Sequence, residues 1–215
     1  MNEANERNLL YWDDYFNKDI KREDIVYDDW LDRFKETIDG TEKVAIDLGC
    51  GTGSDTLYLL EHGKSVIPCD GSMNAIRNIR KNFPEVQESI CFDMLEAFPF
   101  ANNLVDLVVA DLSLHYFTKE DTMNILKEIR RILVNKGHLL MRVNSIEDVN
   151  FGALEGTEVE PGLYMTPDGR YKRFFDRKDI YEMAMMFEMR DMHEGSTKRY
   201  GKEKRTINVD FRNRK

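Results

Sequence analysis

The 215-residue chain has only three cysteines, Cys50, Cys69 and Cys91, and no two of them form a C-x-x-C pair. That excludes a zinc knuckle and a dithiol redox motif, and no metal is expected. Each cysteine lies in or just after an apolar run and reads as a small buried hydrophobe. No stretch approaches the roughly eighteen uninterrupted apolar residues of a membrane-spanning helix. The opening MNEANERN lacks the basic-then-apolar pattern of a secretory signal, so a cytoplasmic protein is expected. The chain has no internal repeat and no low-complexity tract. Hydrophobic residues at 41% and charged residues at 33% suit one globular domain with an appendage.

Positive charge is also scarce. The net charge of -9 argues against a protein that coats nucleic acid. The balance shifts along the chain. Residues 1–42 hold 6 basic against 13 acidic residues, whereas residues 170–215 hold 14 against 8. Three readings of the basic tail stay open: it attracts an anionic substrate, forms a solvated hairpin, or docks on the acidic N-terminal segment.

What is present is an alternation of short apolar runs and amphipathic stretches. Residues 8–17 and 25–39 read as acidic amphipathic helices, with Gly40 as a stop. Strands are expected over 44–48, 65–70, 89–93, 104–110 and 138–143. Pro68 is expected at the end of its strand. Helices are expected over 54–60, 73–82 (N-capped by Ser72) and 119–134. Alternation of this kind implies right-handed βαβ units on a parallel sheet. Residues 147–172 lose periodicity and read as a long irregular loop, of the kind that often forms a lid. A helix over 176–187 and a closing hairpin, 188–194 with 206–211, follow.

Between the first strand and its helix stands Asp47-Leu48-Gly49-Cys50-Gly51-Thr52-Gly53. Alternate glycines let the chain turn sharply and let a ligand touch the main chain. The dinucleotide fingerprint GxGxxG/A is one alternative, and with it a nicotinamide oxidoreductase. Its sixth position is Ser54 here, where close helix–strand packing wants Gly or Ala. Asp47 also suits a ligand carrying an ammonium group better than one carrying phosphates.

Val44–Gly53 resembles the cofactor signature of the class I methyltransferases, which use S-adenosylmethionine (SAM) and release S-adenosylhomocysteine (SAH). The resemblance covers residues 40–145. It implies an α/β fold: a Rossmann-like three-layer sandwich on a mostly parallel seven-stranded sheet, with a C-terminal antiparallel hairpin and N-terminal helices. It implies cofactor contacts from Asp47, Gly49, Cys50, Gly51, Thr52 and Gly53. Asp70, 21 residues after Gly49, would take the ribose hydroxyls, with Gly71, Ser72 and Met73 beside it. Asp93 and Met94 would meet the adenine. Asp111 and Leu112, in a stretch running to Phe117, would face the methionine part. Arg130–Leu140 resembles the family's helix, turn and fifth strand, with Val-Asn-Lys-Gly-His in place of Leu-Lys-Pro-Gly-Gly. The layout is similar to the tellurite-resistance and ubiquinone-type branches, and Gly169–Phe175 is suggestive of the former. The implied domains are a helical lid over 1–40 and the methyltransferase domain over 41–215, with 147–175 as a variable substrate-side loop.

Methyl transfer from a sulfonium is an in-line displacement, so a base is needed only when the nucleophile must lose a proton. His115 and then Tyr116 are the candidates; a packed histidine is the alternative. Tyr11, Trp12 and Tyr15 form an aromatic stripe that would either fold over the cofactor as a lid or fill the core. Tyr164, Arg170 and Tyr171, with Lys172 and Arg173, are candidates to line a substrate pocket. His62, His138 and His193 receive no role. A small-molecule acceptor leads, in a monomer or homodimer without a membrane span. Methylation of tRNA or protein, and a non-catalytic SAM-binding protein, remain alternatives; the Asn-Pro-Pro-Tyr signature of base amino-group methylation is absent.

Overall fold

The computed structural model of the protein describes residues 3–199 and 201–215. Seven strands form its main sheet: β1 (Ala45–Leu48), β2 (Val66–Asp70), β3 (Ile90–Cys91), β4 (Val105–Asp111), β5 (Leu133–Asn144), β9 (Glu188–Arg199) and β10 (Lys202–Arg212). Their spatial order is β3-β2-β1-β4-β5-β10-β9. The first five are parallel, while β10 runs antiparallel to β5 and to β9. The order reverses between β1 and β4. In open α/β sheets that reversal opens a crevice beyond the carboxyl ends of the strands, where ligands bind.

Three layers follow from alternation along the central strands. Ile46 and Leu48, Val108 and Ala110, and Leu139 and Met141 face one side. There they pack on α5 (Lys119–Ile132) and α6 (Arg177–Met183) through Ile125, Leu126, Ile129 and Ile180. Ala45, Leu107, Val109 and Leu140 face the other side and meet Trp30, Leu31, Phe34 and Ile38. Fully covered strands can be apolar on both faces, which explains the near-continuous run at 104–110. Two further helices flank the glycine turn: α3 (Ser54–Glu61) and α4 (Met73–Asn82), the latter capped by Ser72 Oγ accepting from Ala75 N at 3.1 Å.

Four local expectations change. The expected helix over 25–39 is a 3-10 turn, Asp29–Phe34, running into the short α2 (Lys35–Asp39). Its residues are tied individually: Trp30 Nε1 donates to Asp55 at 2.9 Å and Tyr58 Oη donates to Asp32 at 3.0 Å. Tighter winding keeps Trp30, Leu31 and Phe34 on the buried side. Pro68 stands in the middle of β2, opposite Asp47. The amides of Ala45, on β1, and Gly49, just past it, donate to the carbonyls of Ser65 and Cys69, so Pro68 faces the β3 side, where pairing begins only at Cys69. The missing N–H costs no ladder bond there. The expected irregular loop contains a small antiparallel sheet of β6 (Thr157–Glu160), β7 (Leu163–Met165) and β8 (Tyr171–Arg173). The closing hairpin is longer than expected, its strands absorbing most of the basic connection; residue 200 of that connection lies outside the described residues, as do residues 1 and 2. Among the described residues no helix is long and apolar enough to cross a membrane.

Candidate functional site

A cavity of about 500 Å³ occupies the crevice at the strand-order reversal. Its floor is the glycine turn after β1. All three glycines have positive φ, and at two of them only glycine serves. A Cβ on Gly49 would stand 2.4 Å from Ser113 Cβ, and one on Gly53 would stand 2.6 Å from Phe83. The first lets the chain after β4 press against the turn. The second lets α3 and α4 close on each other.

The ends of the strands each supply a polar group. Asp70, ending β2, accepts from Gly51 N at 2.9 Å and from Ser72 N at 2.8 Å, which fixes its carboxylate against the turn. Burial raises its pKa. Asp93, beyond β3, accepts from Leu95 N at 2.9 Å through Oδ1. Its Oδ2 is shut off from solvent without a hydrogen-bond partner in a residue that lines the cavity. Asp111, ending β4, is held on both oxygens by Arg142, which also pairs with Asp28 at 2.7 Å. Arg142 is 3% exposed and carries its charge at depth only because two carboxylates surround it. Leu112, next in the chain, has φ +47, an uncommon value for a branched residue; its amide is held by Arg142 O at 2.9 Å.

The roof is α1 (Glu3–Tyr15). Asp13 fastens it to the start of α4 by accepting from Ser72 Oγ at 2.6 Å and Asn74 N at 3.1 Å. Tyr11, Trp12, Tyr15 and Phe16 form a ladder of ring contacts 5.2–5.6 Å apart, and Trp12 also meets Tyr116 at 5.9 Å. These rings line the cavity. From the small sheet, Arg170 lies over the Tyr11 ring at 3.6 Å.

At the far end lies His115, 5% exposed, with Nδ1 unpartnered and its ring 4.1 Å from that of Tyr116. Burial pushes its pKa well below the ordinary histidine range, aided by the charges of Lys204, Lys172 and Arg199. Tyr116 is pushed up by its own burial.

The structure brings most of the residues expected at the site to this one cavity: Gly49, Cys50, Gly51 and Thr52; Asp70 and Gly71; Asp93 and Met94; Asp111 and Leu112; His115 and Tyr116; Tyr11, Trp12, Tyr15, Arg170 and Tyr171. Six others stand elsewhere. Asp47 is sealed beneath the turn, accepting from Thr56 Oγ1 at 2.6 Å, and burial pushes its pKa up to about 7. Gly53 packs on Phe83, Ser72 caps α4, and Met73 is exposed. Tyr164, on β7 of the small sheet, is buried against Ala153 and Phe174. Arg173 ties that sheet to the chain after β4 through Phe117 O at 3.0 Å and to Glu160. Sequence reasoning missed Asp55, Ser113, Arg199 and Lys204, which also line the cavity. Asp55 and Ser113 adjoin recognised motifs, and adjacency was the available signal. Arg199 and Lys204 come in from the hairpin, and only strand pairing reveals them.

Comparison with known proteins agrees with this geometry. Residues 46–141 match the family model described as a methyltransferase domain. A methyltransferase-like protein of Schizosaccharomyces pombe is 34% identical over 122 residues, covering 56% of this chain and 44% of that protein. An uncharacterised methyltransferase of Synechocystis is 32% identical over 88 residues, covering 41% of each. The chain thus spans less than half the length of these two curated relatives. Among solved structures, a SAM-dependent methyltransferase from Methanosarcina mazei superposes with a TM-score of 0.69 at 19% identity, covering 80% of this chain and 93% of that one. The 1,6-didemethyltoxoflavin-N1-methyltransferase of Burkholderia thailandensis, solved with 1,6-didemethyltoxoflavin and SAH, gives 0.67 at 16%, covering 100% and 92%. At such identities the likeness is one of fold.

The cofactor of this family is SAM, and the cavity suits it: Asp93 offers a buried, unused acceptor, Asp70 a fixed carboxylate one strand away, and the glycine turn an approachable main chain. Residues 46–141 of this chain match a methyltransferase domain, and the fold around them is similar to that of solved SAM-dependent methyltransferases.

Proposed function

We propose that the protein transfers the methyl group of SAM to a small-molecule acceptor. The observation that carries this reading is the continuity of one roofed cavity from Asp93 through Asp70 and the glycine turn to His115. A volume of about 500 Å³ lies within the usual range for small-ligand sites.

When bound, SAM supplies an electrophilic methyl carbon on a sulfonium whose departure leaves neutral SAH. The protein's part is to orient, to exclude water and to hold a proton. Asp93 would hold the adenine amino group and Asp70 the ribose hydroxyls. The rings of α1, which line the cavity, would favour the charge of the sulfonium. His115 stays neutral at physiological pH, and its Nδ1 is free to take the proton that an acceptor O–H or N–H releases as its bond to the methyl carbon forms. A weak base suffices, because the nucleophile grows more acidic as that bond develops. Incubating the protein with methyl-labelled SAM and fractionated metabolite extracts, with mass spectrometry of labelled products, tests the reading. A labelled small molecule is expected. Label found only in RNA or protein, or no SAH formed with any fraction, would overturn it.

A further inference from the structure

Four cationic side chains reach the cavity on the His115 side: Arg170, Lys172, Arg199 and Lys204. Three are balanced. Arg170 pairs with Asp168 at 2.8 Å, Lys204 with Asp148 at 2.9 Å, and Arg199 approaches Asp111 at 3.7 Å. Lys172 is different. Its ammonium donates to the carbonyl of Phe151 and lies over the Phe174 ring at 5.3 Å. Among the described residues no carboxylate comes within ion-pair reach of it. Burial, and after it the charge of Lys204, lowers the pKa of Lys172 to about 8; burial lowers Lys204 as well. An ammonium set in a half-buried wall beside a second ammonium is costly unless an anion joins them.

Position separates this group from the cofactor. Asp93, Asp70, the glycine turn and Asp111 follow β3, β2, β1 and β4 in spatial order. Lys204 is on β10, two strand spacings or about 10 Å beyond β4, and Lys172 reaches in from β8 of the small sheet. His115 lines the same cavity with Nδ1 unpartnered, and its pKa responds to both lysines.

We infer that the methyl acceptor is an anion, bearing a carboxylate or phosphate that Lys172 and Lys204 grip while its nucleophilic atom faces His115. The inference rests on the methyl-transfer reading above. It carries a consequence for the base: burial comes first in keeping His115 weakly basic, but an anion between the lysines cancels the charges that add to it, so the acceptor itself raises the basicity of Nδ1.

The test uses the full chain saturated with SAH, titrated with inorganic phosphate as the probe and followed by calorimetry and by the ring signals of His115 in NMR. Phosphate is expected to bind and to raise the His115 pKa. Lys172→Met should weaken phosphate at least tenfold, Lys172→Arg should hold it within threefold, and both should bind SAH like the parent. Phosphate affinity should fall above about pH 8 as Lys172 loses its proton; Lys204, Arg170, His115, Asp148 and Glu155 face the same ammonium and set that value. Phosphate affinity unchanged in Lys172→Met, with an unchanged melting temperature, would overturn the inference. So would phosphate competing with SAH, or SAH affinity falling in Lys172→Met, since the lysines would then serve the carboxylate of the cofactor. In either case the methyl-transfer reading stands. Absence of SAH binding by the parent protein is the separate outcome that removes that reading.

Discussion

Replacing Asp93 by asparagine tests the cofactor's orientation with one atom changed. In the protein Oδ1 is committed to Leu95 N at 2.9 Å, while Oδ2 is buried without a partner. The amide of the Asp93→Asn variant would keep the bond to Leu95 through its carbonyl oxygen and present N–H₂ where the acceptor was. A donor would then face the adenine amino group, itself a donor. A hydrogen bond to a charged group is worth about 1.5–3 kcal/mol, so SAH affinity should fall by roughly tenfold to 150-fold. Calorimetric titration of SAH measures this, and a thermal melt beside it should move little. The stronger check is reversal: S-inosylhomocysteine carries a carbonyl oxygen in place of the amino group, and the variant should bind it better than the parent does. If the variant binds SAH within twofold of the parent, or shows no gain for the inosyl compound, Asp93 does not read the adenine and the cofactor lies differently in the cavity.

Other outcomes follow from single contacts. Gly49→Ala forces a Cβ to 2.4 Å from Ser113 Cβ at φ +83, and SAH affinity should drop at least tenfold; parental affinity would detach the turn from the cofactor. His115→Gln should cut kcat by about 10²–10⁴ with KM for SAM within twofold, and a loss confined to KM would assign His115 to binding alone. The acid limb of the parent's kcat/KM profile should lie below the ordinary histidine range, because burial lowers the His115 pKa. Asp47 has a folded pKa of about 7 against an ordinary 3.8, from burial and the nearby Asp111 and Asp70. Its protonated form is favoured on folding, so stability is lost as pH rises from about 4 to 7, by about 1.4 kcal/mol for each pH step in that window. Asp47→Asn should therefore raise the melting temperature at pH 8 and change it little at pH 4; equal effects at both values would refute the linkage.

The parallel half of the fold was readable because its signals are local. Val44–Leu48 is a short, mostly apolar run, three alternate glycines force a turn after it, and Leu104–Ala110 is apolar but for Asp106 because both its faces are covered. The resemblance to the class I methyltransferases named Asp70, Asp93 and Asp111 at the ends of successive strands. Local patterning faltered where partners are distant. The Trp30 segment takes a 3-10 winding because Asp55 and Tyr58 tie its side chains, and neither tie is visible in a periodicity. Pro68 sits in mid-strand because the neighbouring strand starts late. The small sheet has strands of three or four residues, too short for a period, although Pro161-Gly162 between Val159 and Leu163 is a turn signal that could have marked the β6–β7 hairpin. Lys172 and Lys204 lie 32 residues apart in sequence, and nothing short of the fold puts them on one wall.

Pro68 has a second effect, on how one molecule meets another. Strands at the margin of a sheet carry free N–H and C=O groups that invite pairing with a foreign chain. Here one margin is β3, only two residues long, and beside it β2 offers a proline ring where an amide would point outward. A visiting strand would find almost no donors there. The opposite margin, β9, is long, but it carries Glu188, Arg190, Asp191, Glu194, Lys198 and Arg199, mixed in sign and at least partly exposed. Strand-to-strand fusion at either side is thus discouraged, by brevity on one flank and by charge on the other, and the protein should stay colloidally dispersed at concentrations where an unguarded parallel sheet would pair into fibres.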